Sequence, residues 1–291
     1  MLSYSFFVVV GFAASAVLLG WAYFRHYQLP RPPVGVFTLG DVAVMMGAII
    51  LLPLLYLRVP LWALTGFFAL VVLGILHFTA QPLLRFRPAV WLGALVLVGA
   101  DIGTNLQFGA TSAPFLAVNN IVLVSTIIGV TNLWAQSGMK ARDVTLLGGA
   151  LAVYDLIATT LLPLMTDLIA HLAHIPFAPL VAWGIGGGDG LGIGVGDLLL
   201  ATVFPLVVRK AFGRSAGITA VAMSLATITA VMALIEWRIV TVALPVMTML
   251  GPLMVAHYGY WIRRRGKERT TWQYLQAEPV DGRPIATNQG I

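Results

Sequence analysis

Nine long apolar segments follow one another along this 291-residue chain, separated by short polar loops. A helix needs about 20 residues to cross the hydrocarbon core of a bilayer. Hydrophobic residues make up 59% of the chain and charged residues only 10%, proportions that a water-soluble domain would rarely reach. We therefore predict an all-α polytopic membrane protein with nine transmembrane helices, near residues 3–24, 37–57, 61–80, 89–109, 115–136, 144–166, 191–209, 216–236 and 239–262.

The lysine and arginine residues gather in alternate loops. Fifteen of the seventeen lie in the odd-numbered loops or the C-terminal tail, and only Arg58 and Arg238 lie in the even-numbered loops. Because cytoplasmic loops carry the excess of basic residues, the alternation predicts the N-terminus outside and the C-terminus in the cytoplasm. No positive charge precedes the first segment, which stays apolar up to Tyr23, so we expect an uncleaved anchor.

These patterns divide the chain into three parts. We assign transmembrane helices 1–5 to residues 1–136, helices 6–9 to residues 137–262, and a disordered basic cytoplasmic tail to residues 263–291. The net charge of +6 fits membrane topology better than nucleic-acid binding, and the absence of cysteine excludes thiolate metal sites. We expect no cofactor, no metal, no nucleic acid and no obligatory protein partner. The basic inner loops favour a multi-pass protein of a prokaryotic plasma membrane.

Two aspartates interrupt the apolar segments, Asp155 in the sixth and Asp197 in the seventh. A carboxylate inside a bilayer is expensive and is usually functional. If the two helices pack together, the carboxyl groups can face each other and share one proton, because both cannot ionise cheaply. Such a pair suits peptide hydrolysis, one group acting as base and the other as acid. Alternatively, each aspartate hydrogen-bonds a neighbouring helix or lines a proton path.

The residues before Asp197 favour the first interpretation. Gly194-Val195-Gly196-Asp197 places two glycines beside the carboxylate, where the absence of side chains allows a helix or an extended substrate to approach. Asp189 follows a similar glycine run, but no apolar segment follows it, so we place it in a loop. In the ninth segment, Pro245 frees a backbone carbonyl, which is tolerated where protein or a water-filled cavity satisfies it.

Together these residues resemble the presenilin and signal peptide peptidase family of intramembrane aspartyl proteases. That family has Tyr-Asp in the sixth helix, Gly-x-Gly-Asp in the seventh and Pro-Ala-Leu in the ninth. Here the corresponding helices contain Tyr154-Asp155, Gly194-Val195-Gly196-Asp197 and Ala243-Leu244. The resemblance covers roughly residues 144–262, and before them only the helix count agrees. Val242 replaces the proline of the family, although Pro245 follows, as in presenilin.

The resemblance implies that Asp155 and Asp197 form the catalytic pair. It also implies a substrate-binding set, consisting of Tyr154, Gly194, Gly196, Ala243, Leu244 and Pro245. The orientation derived from the basic loops is that of signal peptide peptidase. It implies substrates with cytoplasmic N-termini, either transmembrane segments or remnant signal peptides.

Other functions are compatible with the same carboxylates. A proton-coupled transporter would use Asp101, Asp155 and Asp197 as relay sites, although we favour a structural hydrogen bond for Asp101. A prepilin peptidase would have a lysine two residues after the motif aspartate, where this chain has Leu199. An inactive relative would bind membrane segments without cutting them. A protease would release peptide products, whereas a transporter would take up a solute driven by an ion gradient and release no peptide.

Overall fold

The computed structural model describes residues 2–29, 39–84, 86–160, 164–185, 190–239, 245–269 and 273, most of which are helical. The described elements, in chain order, are α1 (Tyr4–His26), α2 (Leu39–Tyr56), α3 (Leu61–Ala80), α4 (Arg87–Phe108), α5 (Ala113–Gln136), α6 (Ala141–Thr160), α7 (Leu164–Leu172), β1 (Leu180–Trp183), β2 (Leu191–Gly194), α8 (Val195–Phe212), α9 (Arg214–Glu236) and α10 (Val246–Arg265).

Five of these helices are long and apolar enough to cross a membrane, namely α1, α3, α4, α5 and α9. Few residues of α3 and α4 are buried, 17% over the most apolar 18 residues of each, so their outer faces suit contact with lipid. The chain is therefore a multi-pass helical membrane protein. The count of nine spans and the inward C-terminus stay predictions.

Helix α8 is the centre of the helical bundle. All of its residues from Leu200 to Phe212 are buried, and α1, α5, α6, α9 and α10 pack around it. A helix that is hydrophobic on all sides belongs in the interior of a bundle. Asp197 lies in the first turn of α8, so the surrounding helices fix its position.

Two glycines allow α6 and α10 to cross at very short range. A Cβ atom at Gly251 of α10 would lie only 2.5 Å from the carbonyl oxygen of Gly148 of α6, and 2.7 Å from the Cβ of Ala152. Small residues permit this kind of backbone approach between membrane helices. The crossing lies between the first turn of α6 and Asp155, so it holds α10 against the helix that carries this aspartate.

A two-stranded antiparallel sheet precedes α8. Leu180 of β1 lies opposite Gly194 of β2, and Trp183 lies opposite Leu191. The backbone N–H of Val195 donates to the carbonyl oxygen of Pro179 at 3.1 Å, which extends the pairing up to the first residue of α8. The strand β2 therefore runs directly into the helix that carries Asp197.

Side chains of α4 and α5 satisfy the backbone of the segment that leads into β1. Asp101 Oδ2 accepts the N–H of Phe177 at 2.8 Å. The Asn120 side chain donates to the carbonyl oxygen of Ala182 at 2.9 Å and accepts its N–H at 3.1 Å. Asn119 donates to the carbonyl oxygen of Ala178 at 3.3 Å. Irregular backbone at membrane depth needs such partners because lipid offers none.

The hydropathy pattern located six helices well, since α1–α5 and α9 begin and end within two residues of the predicted bounds. The differences lie around the site. The segment predicted at 144–166 is described as α6, which begins at Ala141, and the start of α7, on either side of residues outside the described part of the chain. The segment predicted at 191–209 begins as strand β2, and the described part of the segment at 239–262 begins its helix at Val246. This helix continues to Arg265, and Glu268 and Arg269 form hydrogen bonds, so the predicted disorder from residue 263 is wrong for the residues up to 269. The two-stranded sheet was not predicted.

Replacing Gly251 by alanine should destabilise the bundle by about 1–3 kcal/mol, because the new methyl group meets backbone atoms that cannot move aside. Gly259→Ala on the same helix is the control, since no atom of the described residues lies within 4 Å of its added Cβ. Unfolding temperatures in detergent measure both. Equal values for the two variants would show that α6 and α10 do not depend on this crossing.

Candidate functional site

A cavity of about 400 Å³ lies where α6, β2, α8 and the start of α10 meet. Residues of α2, α7, β1 and α9 complete its walls. Its lining is mainly apolar, and its ionisable side chains among the described residues are Tyr154, Asp155 and Asp197. An apolar cleft with a few convergent polar groups is the usual form of a binding site for an organic substrate.

Asp155 reaches the cavity from the later part of α6. Its side chain is partly exposed and lies close enough to Asp197 for the two carboxyl groups to interact electrostatically. The hydroxyl of Thr159, one turn later and also in the cavity wall, donates to the carbonyl oxygen of Asp155. The structure thus brings the two predicted catalytic residues to one cavity from different helices.

Asp197 faces the N-terminus of α10. Its Oδ1 atom accepts the backbone N–H of Met247 at 3.2 Å, and Met247 is the second residue of this helix. The first N–H groups of a helix have no partner within the helix and carry partial positive charge, so a carboxylate placed there is stabilised. The hydrogen bond joins the beginning of α8 to the beginning of α10.

Pro245 is the N-cap residue of α10 and lines the cavity. The sequence suggested a proline interrupting a span, whereas the structure puts it just before the helix, where its missing N–H removes no helical hydrogen bond. The predicted neighbours Ala243 and Leu244 lie outside the described residues, as does Asp189. Six of the eight predicted site residues therefore surround one cavity: Tyr154, Asp155, Gly194, Gly196, Asp197 and Pro245.

Packing among the described residues does not require glycine at either of the two predicted site positions, 194 and 196. Gly194 has φ −61° and ψ 140°, a conformation open to any residue, and an added Cβ there would meet only Asp197 Oδ2 at 3.7 Å. An added Cβ at Gly196 would meet nothing within 4 Å. Both residues line the cavity. Within the described part of the chain, their missing side chains therefore leave space beside Asp197.

Tyr154 adds a polar group to the same wall. Its hydroxyl oxygen is buried, and it makes no hydrogen bond to any described residue. A buried hydroxyl without a partner is uncommon, because leaving it unpaired costs free energy. The Tyr154 hydroxyl is therefore available to donate to, or accept from, a ligand in the cavity.

The sequence did not indicate that α2 contributes to the site, or that Gly194 ends a strand that lines it. Pro53 lies inside α2 and has no N–H, so the carbonyl oxygen of Ile49 lacks its usual helical partner. Both residues line the cavity, and Pro53 within an apolar segment was the available signal. Strand β2 gave no signal of its own, because two of its four residues are glycine and its sequence looks like a loop.

Asp101 lies away from the cavity. It is fully buried, and its hydrogen bond to the N–H of Phe177 supports a residue with a positive φ of 61°. This position agrees with the structural hydrogen bond favoured from the sequence. The cavity lining does not include Asp101. Asp101 therefore does not join Asp155 and Asp197 at the cavity as the proton-relay alternative would require.

No protein-family model matches this chain, and no curated protein matches it significantly. Among the described residues, no group of three histidine, aspartate or glutamate side chains is arranged to hold a metal ion.

Asp101→Ala should lower the free energy of unfolding by about 1–3 kcal/mol, because the Phe177 N–H would lose its acceptor in a buried position. Asp101→Asn should cost much less, since the amide oxygen can still accept the same bond. Thermal unfolding in detergent compares the two variants. If alanine and asparagine destabilise the protein equally, the hydrogen bond to Phe177 is not the role of Asp101.

Proposed function

We propose that this protein is an intramembrane aspartyl protease that hydrolyses peptide bonds within membrane-spanning segments. The observation that carries the proposal is the meeting of Asp155 and Asp197 at one cavity of about 400 Å³ in a helical membrane protein. The resemblance of the Tyr-Asp and Gly-x-Gly-Asp motifs to presenilin and signal peptide peptidase supports the same activity.

The pair supplies both halves of an acid–base reaction. The ionised carboxylate takes a proton from a water molecule, whose oxygen forms a bond to the scissile carbonyl carbon, while the protonated carboxyl group gives its proton to the carbonyl oxygen. The resulting diol then collapses. The C–N bond breaks as the nitrogen takes one proton and a diol hydroxyl returns one, leaving a carboxyl group and an amine. No cofactor or metal takes part in this cycle.

The surroundings of the two carboxyl groups differ, which suggests their initial roles. Asp197 accepts the N–H of Met247 at the N-terminus of α10, and both the hydrogen bond and the helix dipole favour negative charge. Among the described residues, no backbone N–H donates to the Asp155 carboxyl group. We therefore assign the first proton abstraction to Asp197 and the protonation of the carbonyl oxygen to Asp155.

Strand β2 offers a place for an unwound substrate. β1 pairs with one edge of β2, and Gly192, Ile193 and Gly194 of β2 line the cavity. An extended peptide can add to the other edge of a strand through backbone hydrogen bonds. A substrate helix has to open before this pairing, because its carbonyl groups are otherwise occupied by its own hydrogen bonds.

The basic loops suggest which segments are cut. With the N-terminus outside and the C-terminus in the cytoplasm, the resemblance to signal peptide peptidase implies transmembrane segments or remnant signal peptides whose own N-termini are cytoplasmic. The lipid bilayer and such peptides are the proposed partners. A prokaryotic plasma membrane is the proposed location.

Asp155→Ala and Asp197→Ala should each lower the cleavage rate by at least about 10²-fold, because neither carboxyl group can run the acid–base cycle alone. The assay uses purified protein in proteoliposomes with a reporter segment whose N-terminus corresponds to the cytoplasmic side, and mass spectrometry identifies both products. Asp101→Asn is the matched control, since Asp101 is a buried carboxylate outside the cavity.

Cleavage that survives either alanine substitution would contradict the protease proposal. Uptake of a solute coupled to a proton gradient, with no peptide product and with loss of uptake in Asp155→Ala, would establish the transporter instead. A hydroxyl-containing transition-state analogue should inhibit cleavage by the protease, because such an analogue mimics the diol that the two carboxyl groups bind.

Gly196→Ala should lower cleavage while leaving the unfolding temperature nearly unchanged. The new methyl group meets no described atom within 4 Å, so it should not disturb packing, but it occupies cavity space beside Asp197. Gly259→Ala, also in open space, controls for the general effect of alanine in a helix. If Gly196→Ala cleaves as fast as Gly259→Ala, close approach of the substrate at this glycine is not needed.

A further inference from the structure

The segment after α10 contacts both helices that carry the aspartates. Gly266, with a positive φ of 81°, ends α10, and a glycine in this conformation commonly turns the chain away from a helix axis. The next residues contact the beginning of α6 and the end of α8. Both contacts lie at the opposite end of these helices from the cavity.

Glu268 occupies the N-terminus of α6. Its Oε1 atom accepts the backbone N–H of Arg142 at 2.9 Å, and Arg142 is the second residue of that helix. Asp143 in the same turn accepts the N–H of Lys140 at 3.3 Å. Two carboxylates thus serve N–H groups that the helix leaves without partners, and their charge complements the helix dipole.

Arg269 occupies the C-terminus of α8. Its backbone N–H donates to the carbonyl oxygen of Ala211 at 3.1 Å, and its Nη2 donates to the carbonyl oxygen of Arg209 at 3.1 Å. The last carbonyl groups of a helix carry partial negative charge, so a cation there is favourable, and the Arg209 carbonyl oxygen accepts the Gly213 N–H at 2.9 Å as well. Adjacent residues of opposite charge therefore bind the opposite ends of two helix dipoles.

Lys210 strengthens this contact from the inside. It is only 3% exposed, and its Nζ donates to the carbonyl oxygens of Ala135 and Met139 at 2.7 and 2.5 Å. Glu268 and Asp143 are close enough to act on its charge. A buried ammonium group needs nearby negative charge. Glu268 therefore also stabilises the charge of Lys210, which belongs to α8.

We propose that Glu268 and Arg269 are positioning residues that set the separation of Asp155 and Asp197 by holding α6 and α8 in register. α6 continues from Arg142 to Asp155, and α8 from Asp197 to Arg209, so each contact lies roughly 20 Å along its helix from the aspartate that the helix carries. A helix transmits a displacement at one end to the other. Only the expected effect on cleavage rests on the proposed protease function. The separation of the two helices can be measured whether or not the protein is a protease.

The first test measures geometry alone. The chain has no cysteine, so Asp155→Cys with Asp197→Cys gives a single pair of thiols, whose cross-linking by a short bifunctional reagent reports their approach. Adding Glu268→Ala or Arg269→Ala should slow cross-linking about tenfold, the effect of losing one charge-assisted hydrogen bond that favours the close arrangement. Lys267→Ala, an exposed neighbour, should leave the rate unchanged.

Cross-linking is measured on the monodisperse fraction of each purified variant. If Glu268→Ala does not fold, Glu268→Gln replaces it in the comparison. Its amide oxygen still accepts the Arg142 N–H, so it should cross-link at an intermediate rate. Unchanged cross-linking in Glu268→Ala, Glu268→Gln and Arg269→Ala would overturn the proposal. If Lys267→Ala slows cross-linking as much as Glu268→Ala and Arg269→Ala do, the proposal is overturned as well, because the slowing then reflects only a change in surface charge.

The second test uses the native aspartates. Glu268→Ala should lower kcat for the reporter segment about tenfold and leave KM unchanged, because the cavity walls are intact. A raised KM with unchanged kcat would overturn the positioning role. If cross-linking responds as expected while the unsubstituted protein cleaves no reporter, the positioning role stands and the proposed protease function fails.

Discussion

The hydrogen bond from the Met247 N–H to the Asp197 carboxylate is the contact around which the site is arranged. It joins α8, which the other helices surround, to the first turn of α10. α10 in turn crosses α6 at Gly148 and Gly251, and α6 carries Asp155. A charge that is expensive in a bilayer is thus placed against a helix N-terminus, which compensates part of the cost.

The irregular backbone beside this contact depends on a different set of polar side chains. Asp101, Asn119 and Asn120 satisfy backbone groups before and within β1, and β1 pairs with β2, which leads into α8. Without such partners a strand would be unstable among membrane helices. A carboxylate can therefore support the backbone beside the site from a buried position, as Asp101 does, or face the cavity from a partly exposed one, as Asp155 and Asp197 do.

The sequence predicted the parts of the fold that follow from burial of apolar surface. Long apolar segments located α1–α5 and α9, and the cost of a carboxylate in lipid identified Asp155 and Asp197. It did not predict β2, because a strand of four residues, two of them glycine, is too short for its alternation to stand out in a glycine-rich stretch, and it forms by pairing with β1. The N-cap position of Pro245 was missed because proline is also compatible with a kink, and only the partner of the Met247 N–H distinguishes the two.

α10 contacts the other two site helices at three levels. Its first turn binds Asp197, its second turn crosses α6 at Gly251, and the residues after it bind the ends of α6 and α8 through Glu268 and Arg269. α8 is enclosed by neighbours over most of its length, so it has little freedom to move. The relative position of the two aspartates is therefore set chiefly by α6, and α10 is the element that fixes α6 against α8 at both ends of the bundle.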